Sequence, residues 1–383
     1  MELDAFKLER TGEALQSLGL QRALFFDFYN VSYLTGYTLF LENGPSPFTR
    51  GTAAAIFAPG HIALVAEVPE VALSAEGWTG TAYAYEGYGY RDSLPASDHF
   101  LNALARAVEA HMLTHGKIGI EKAYLSVQAW EKLQALRPNI NWVDLPPEVM
   151  LQARAVKSPA ELTRLRGCAR LAEVGQEAVR RTVQTAGHTE ISVYNAAKTA
   201  MEAYAGGRFA LQNALHGGPN AGSPFPGMPG RYELQRGDLL ISDMVPYYDG
   251  YWGDTCSTFV VGGEAAITAE HRRLHQIAWH AFLKGLDAVK PGITGGELDN
   301  LVRGYVHQQG YEYPHHTGHG LGVSNHEEPR VIINGQTVLQ PGMVVVIEPA
   351  VYVPGVGGVR QERMFIVTAD GAELLSHNPL DLA

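Results

Sequence analysis

Four carboxylates in the second half of the chain fall where they can face one another in pairs. Residues 239–245 and 251–261 read as the two arms of a β-hairpin around Tyr248-Asp249-Gly250. A turn centred on Tyr248 and Asp249 sets Asp243 opposite Asp254, and opposed residues share a sheet face with Cβ atoms about 4.5–5.5 Å apart. A second hairpin runs through residues 344–348, turns in Pro354-Gly355-Val356-Gly357-Gly358 and returns through residues 359–367. A turn centred on Gly355 sets Glu348 opposite Glu362.

Opposed acids on an apolar strand face repel, and buried without compensation they must take up protons. Four carboxylates balance two divalent cations, which hydrolytic two-metal sites hold about 3.5–4 Å apart. One neutral imidazole would complete the shell. Candidates stand in Pro314-His315-His316-Thr317-Gly318-His319-Gly320-Leu321-Gly322 and in His326-Glu327-Glu328-Pro329. Oxygen-rich ligation with one imidazole suits manganese, cobalt or zinc. A single strand aspartate is ordinarily a turn or edge residue, and a lone His-x-x-x-His is a weak sign of a metal. Two acid hairpins with a histidine block between them carry the metal reading together. Arg360 shares the face of Glu362, where it holds a carboxylate, supports the ligands or forms a structural ion pair.

The elements that must position these residues fall into two domains, 1–150 and 151–383. The first third alternates strands (23–28, 53–58, 61–66, 117–121) with helices (99–115, and one capped by Ser126 that runs to 136), an α/β pattern. Pro59-Gly60 marks a hairpin turn. The aromatic, Gly-rich run from Tyr83 to Tyr90 suits either an interface loop or a surface strand. Ser158-Pro159-Ala160-Glu161 is a helix start, with serine as cap, proline first and glutamate three residues after the cap. That helix runs to about 185, a second starts at Thr189 or Ser192, and a third spans 268–289. The rest of this half reads as hairpins in a curved antiparallel sheet, so the overall class is α+β.

With 383 residues, 46% hydrophobic and 18% charged, the chain has an ordinary globular composition. Its formal net charge of −11 opposes nucleic-acid binding, which needs a basic footprint. No apolar run is long enough for a membrane helix, and the charged start of the chain does not read as a signal peptide. A cytoplasmic protein is expected. Cys168 and Cys256 make no disulfide framework. Cys256 lies on the face of Asp254, as a soft ligand, a redox liability or, more plainly, a small core residue.

These motifs resemble the pita-bread metallopeptidases, the group of proline-specific aminopeptidases, prolidases and methionine aminopeptidases. Asp243-x10-Asp254, Gly318-His319-Gly320, Ile347-Glu348-Pro349 and Gly358-Val359-Arg360-Gln361-Glu362 match the family's five-ligand pattern in order and spacing. Asn30-Val31-Ser32-Tyr33-Leu34-Thr35-Gly36 and Ala155-Val156-Lys157-Ser158-Pro159 resemble the two-domain, creatinase-like branch. The resemblance implies an N-terminal creatinase-like domain, a C-terminal pita-bread domain, and Asp243, Asp254, His319, Glu348 and Glu362 as ligands of two divalent ions. It further implies Glu348 as proton relay, His326 as the histidine that meets the substrate carbonyl or oxyanion, His315 as a second proton-handling histidine, and Tyr251 near the substrate. His316 matches no role.

The chain departs from the pattern where relatives carry a substrate-facing histidine. Here Gly218-Pro219-Asn220-Ala221-Gly222-Ser223-Pro224 runs into Phe225-Pro226. Phe225 is an apolar wall for a proline ring, or reshapes the pocket for another amide. Cleavage of Xaa-Pro bonds in short peptides is the first expectation, by a homodimer. A non-peptidic amide hydrolase of the ectoine-ring type is the alternative, and a non-catalytic binding module is the third.

Overall fold

The structure is a computed structural model that describes residues 4–38, 52–67, 80–87, 95–112, 114–225 and 227–383; Tyr88, Gly89, Tyr90 and Pro226 lie outside the described residues. The chain divides into two compact units, Met1–Arg154 and Ala155–Ala383.

The first unit is built on a six-stranded sheet. Its strands are β1 (Ala23–Phe25), β2 (Ala54–Ala58), β3 (His61–Glu67), β4 (Thr81–Tyr85), β5 (Gly116–Ile120) and β6 (Ile140–Asp144), in the order β4-β3-β2-β1-β5-β6. The β1–β2 and β2–β3 pairs are antiparallel and the others parallel. Around it lie α1 (Ala5–Ser17), α2 (Phe28–Thr35), α3 (Ala96–His111) and α4 (Val127–Leu136). The strand expected over 23–28 stops at Phe25, because Asp27 caps α2 by accepting from Asn30 N at 3.3 Å. Ser126 caps α4 as expected. Leu24, Ile56, Val65, Phe100, Leu104, Ile118 and Leu133 form the core, and Tyr83 of β4 packs on it. The aromatic run is therefore strand over Thr81–Tyr85. A helix, α5 (Pro147–Ala155), occupies the segment read as the boundary between domains.

In the second unit α6 (Pro159–Thr182) carries the expected capping box at Ser158. α7 (Glu190–Ala205) starts after Thr189, and α8 (Ala269–Ala288) after Thr268. A further helix, α9 (Gly295–Gln308), lies where only hairpins were expected. Its signals are present in the sequence: a Thr294-x-x-Glu297 capping box, with Leu298, Val302 and Val306 buried along one face.

The strands are β7 (Ala210–Gly217), β8 (Leu239–Tyr248), β9 (Tyr251–Trp252), β10 (Thr255–Val260), β11 (Gly318–Gly320), β12 (Glu327–Val331), β13 (Val344–Ile347), β14 (Ala350–Val353), β15 (Gly357–Arg360), β16 (Arg363–Val367) and β17 (Ala372–Leu374). They form antiparallel sheets in the orders β10-β8-β7, with β9 on β8, and β12-β11-β13-β16-β17, plus the pair β14-β15. A Cys256–Glu362 bridge joins the first two sheets, so both acid hairpins converge there.

The first hairpin turns at Asp249-Gly250, not at Tyr248-Asp249. Both turn residues have positive φ, 51° and 80°, as the favoured two-residue turn requires. Asp243 therefore opposes Cys256, and Asp254 lies two residues along. A shift of two keeps the face, so the acids still converge. The second hairpin keeps one register on both sides of its break: Ile347 faces Arg363 and Ala350 faces Arg360. Glu348 thus falls opposite Glu362, as the turn at Gly355 requires.

Candidate metal centre

Asp243 projects from β8, Asp254 from the link between β9 and β10, His319 from β11, Glu348 from just after β13, and Glu362 from just before β16. The ligand atoms of Asp254, His319 and Glu362 lie within 4.8 Å of one another. His319 Nε2 stands 3.6 Å from Asp254 Oδ2 and 3.9 Å from Glu348 Oε1. Its Nδ1 donates to the Gly320 carbonyl at 3.0 Å, which leaves the Nε2 lone pair directed at the acids. The flanking glycines admit neighbouring backbone: a Cβ at Gly318 would strike the Val346 carbonyl, and one at Gly320 the Glu328 carbonyl.

Burial sets the electrostatics. It pushes Asp243 up to about 6, and drives Asp254 and Glu362 well above the usual carboxylate range, with the neighbouring acids adding to the shift. For Glu348 burial also pushes upward, but His316, His315 and Arg360 outweigh it and hold the carboxylate below its ordinary value. Burial, then the nearby His326, lowers His319 to about 3, so its imidazole is neutral. Asp243 Oδ1 is buried with no hydrogen-bond partner. A neutral imidazole, acids that repel each other and an orphaned carboxylate oxygen fit oxygen-rich divalent-cation sites.

Arg360 is engaged with the acids rather than offered to a ligand. Its Nη2 meets Asp243 Oδ2 at 3.0 Å and its Nη1 meets Glu348 Oε2 at 3.4 Å, with the residue 5% exposed. This favours the supporting role over substrate binding. Tyr251 does not face the acids either. It pairs with Tyr248, and strand alternation sends it to the opposite face, where it donates to Glu161 Oε1 at 3.2 Å. Phe225 is 80% exposed and builds no packed wall, since it sits on a surface loop after Gly222. Cys256 is fully buried beside Ala221 and Ile241, as a core residue.

The histidine block resolves differently from its sequence reading. His315 Nδ1 donates to the His316 carbonyl at 2.7 Å, and its Nε2 accepts from Tyr352 OH at 3.0 Å. Both ring nitrogens are occupied, and burial holds the ring down to about 4. The histidine that touches Glu348 is His316, through Nε2 to Oε1 at 2.7 Å. The sequence assigns His316 no role; the signal is its place two residues before the strand that carries His319. His326 stacks on His319 with ring centroids 3.9 Å apart. Asp299 of α9 braces the block, accepting from Thr317 Oγ1 and from Arg303, which also donates to the His315 carbonyl.

Residues 163–369 match the model of metallopeptidase family M24, and residues 7–156 match the creatinase/prolidase N-terminal domain. The chain belongs to metallopeptidase family M24. It is a peptidase of the two-domain branch and depends on divalent metal. A putative dipeptidase of Bacillus subtilis is 30% identical over 98% of this chain and 99% of its own length. An Xaa-Pro dipeptidase of Lactobacillus helveticus is 29% identical over 92% of this chain and 91% of its own. The solved structure of an Xaa-Pro dipeptidase from Bacillus anthracis matches with a TM-score of 0.80 at 25% identity, covering 98% of both chains. No described helix of this M24 peptidase is long and apolar enough to cross a membrane.

Proposed function

We propose that this M24 peptidase is an exopeptidase with two divalent metals that hydrolyses Xaa-Pro bonds in dipeptides or short peptides. The observation that carries the reading is the convergence of Asp254, His319 and Glu362, with Asp243 and Glu348 alongside, in a chain alignable end to end with dipeptidases. Asp243, Asp254, His319, Glu348 and Glu362 would hold manganese, cobalt or zinc. Bound cations would lower the pKa of water toward neutrality and polarise the scissile carbonyl.

The chain's own residues do the rest. Glu348 is the proton relay to the leaving imide nitrogen, which has no proton of its own. His316 holds one Glu348 oxygen and Arg360 the other, which fixes the plane of that carboxyl group. His326 stands at the rim of the acids, where a neutral N–H can donate to the oxygen that gains charge. The enzyme is proposed to act in the cytoplasm as a homodimer; sedimentation of the active enzyme as a monomer would remove the dimer. Metal-supplemented assays against Xaa-Pro dipeptides, longer Xaa-Pro peptides and small cyclic amides test the substrate class. Turnover of the cyclic amides alone would overturn the peptide reading.

A further inference from the structure

His326 is held by a short connection whose footing is ionic. Leu321 N donates to the Val344 carbonyl, Trp252 N to the Gly322 carbonyl, and Gly322 N to the Ser324 carbonyl. Ser324 N donates to Glu327 Oε1 at 3.1 Å, and Ser324 Oγ to the His326 carbonyl at 3.3 Å. Beneath this turn Lys157 Nζ meets Glu327 Oε2 at 2.6 Å, with the two side chains 1% and 0% exposed. Lys157 is itself tied down, its N–H donating to the Gly342 carbonyl at 2.9 Å. The turn lies directly on the pair: a Cβ at Gly322 would come 2.6 Å from Glu327 Oε2 and 2.9 Å from Lys157 Nζ.

A buried ion pair is a poor source of net stability, since well-packed apolar residues in its place are often as good or better. What it supplies is direction. We propose that Lys157 and Glu327 are positioning residues for His326. The ammonium fixes one carboxylate oxygen, the other oxygen fixes the Ser324 N–H, and the turn through Ser324 sets the imidazole over His319. The inference rests on the reading of His326 as the substrate-facing donor.

The test is a cycle of Lys157→Met with Glu327→Leu, made together in the wild-type and His326→Ala backgrounds, reading melting temperature, bound metal and kcat/KM on an Xaa-Pro dipeptide. The paired swap is expected to keep the melting temperature and the metal content, and to lower kcat/KM about tenfold to a hundredfold, mostly in kcat, as misplacement of an acting group does. In the His326→Ala background the same swap is expected to change kcat/KM less than about twofold, because the group it positions is gone. Glu327→Gln, nearly isosteric, is read the same way if the paired swap does not fold. Equal losses in both backgrounds, or a swap with wild-type kcat/KM, would overturn the inference. An unimpaired His326→Ala would instead remove the role of His326, and the inference with it.

Discussion

Asp254 and Glu362 are the residues at which metal and activity should be lost together. Asp254→Asn or Glu362→Gln removes one ligand oxygen and one negative charge from a buried cluster, and metal analysis should show depletion in step with lost turnover. His326→Ala should keep its metal and lower kcat/KM by about a hundredfold, the usual scale for a donor that acts on developing charge. An empty site in His326→Ala would mean that His326, not His319, is the ligand. Phe225, exposed and unpacked, should matter little: Phe225→His should shift kcat/KM by no more than about twofold, in line with ordinary surface substitutions. A large gain in dipeptide turnover would show that this loop folds onto the substrate.

At the scale of elements, β11 admits no side chain beside its histidine. Gly318→Ala would drive a methyl group into the Val346 carbonyl and should separate β11 from β13, costing about 1–3 kcal/mol as overpacking does. Weakened metal binding should follow, measured by titration into the metal-free variant. In the first unit, Glu121 is buried at the ends of β1 and β5, accepting from Phe26 N, Asp27 N and Asn30. Burial outweighs these donors and pushes its carboxyl up to about 7, from 4.5. A carboxyl whose folded value is raised contributes stability that is fully present below the unfolded value and fades as pH rises through the folded one. The contribution is of the order of 3 kcal/mol, lost between about pH 4.5 and 7. Glu121→Gln should flatten stability over that window in denaturant titrations, at a cost below it. An unchanged pH slope would contradict the buried, proton-holding state of Glu121.

For the whole molecule, removal of metal should act through the second unit. Cations held at a hundred times their dissociation constant stabilise a fold by about 2.7 kcal/mol. Chelation should therefore lower the melting temperature, and hydrogen exchange should quicken in the strands that carry Asp243, His319, Glu348 and Glu362. Residues 4–38 should exchange as before. Full activity after exhaustive chelation would contradict the assignment of the acids as a metal site.

The convergence of acids was legible in the sequence because strand alternation has a period of two. Even with the turn displaced by one residue, Asp243 and Asp254 kept one face, since that displacement slides the register by two. The register of the second hairpin was legible, set by Gly355, but not its break after Ile347 into two strand pairs. Caps were legible as well, since Ser126 and Ser158 each act on an N–H group three residues away. Other features depended on what lies across space. The Thr294 cap and the apolar face of α9 are written in the sequence, but the flanking hairpin signals mask them. Tyr251 is not one of these: it stands three residues from Asp254, so alternation turns it from the acids in either register. Phe225 is exposed because its loop packs nothing against the ring. Arg360 meets Asp243 of the other hairpin as well as Glu348 of its own, and His316 rather than His315 reaches Glu348, because Tyr352 and the His316 carbonyl occupy both His315 nitrogens. The sequence alone determined which residues carry the charge and which face they share, since those follow from local backbone geometry. Only the tertiary structure decided which side chain meets which, because hydrogen-bond partners and burial depend on residues brought together from distant parts of the chain.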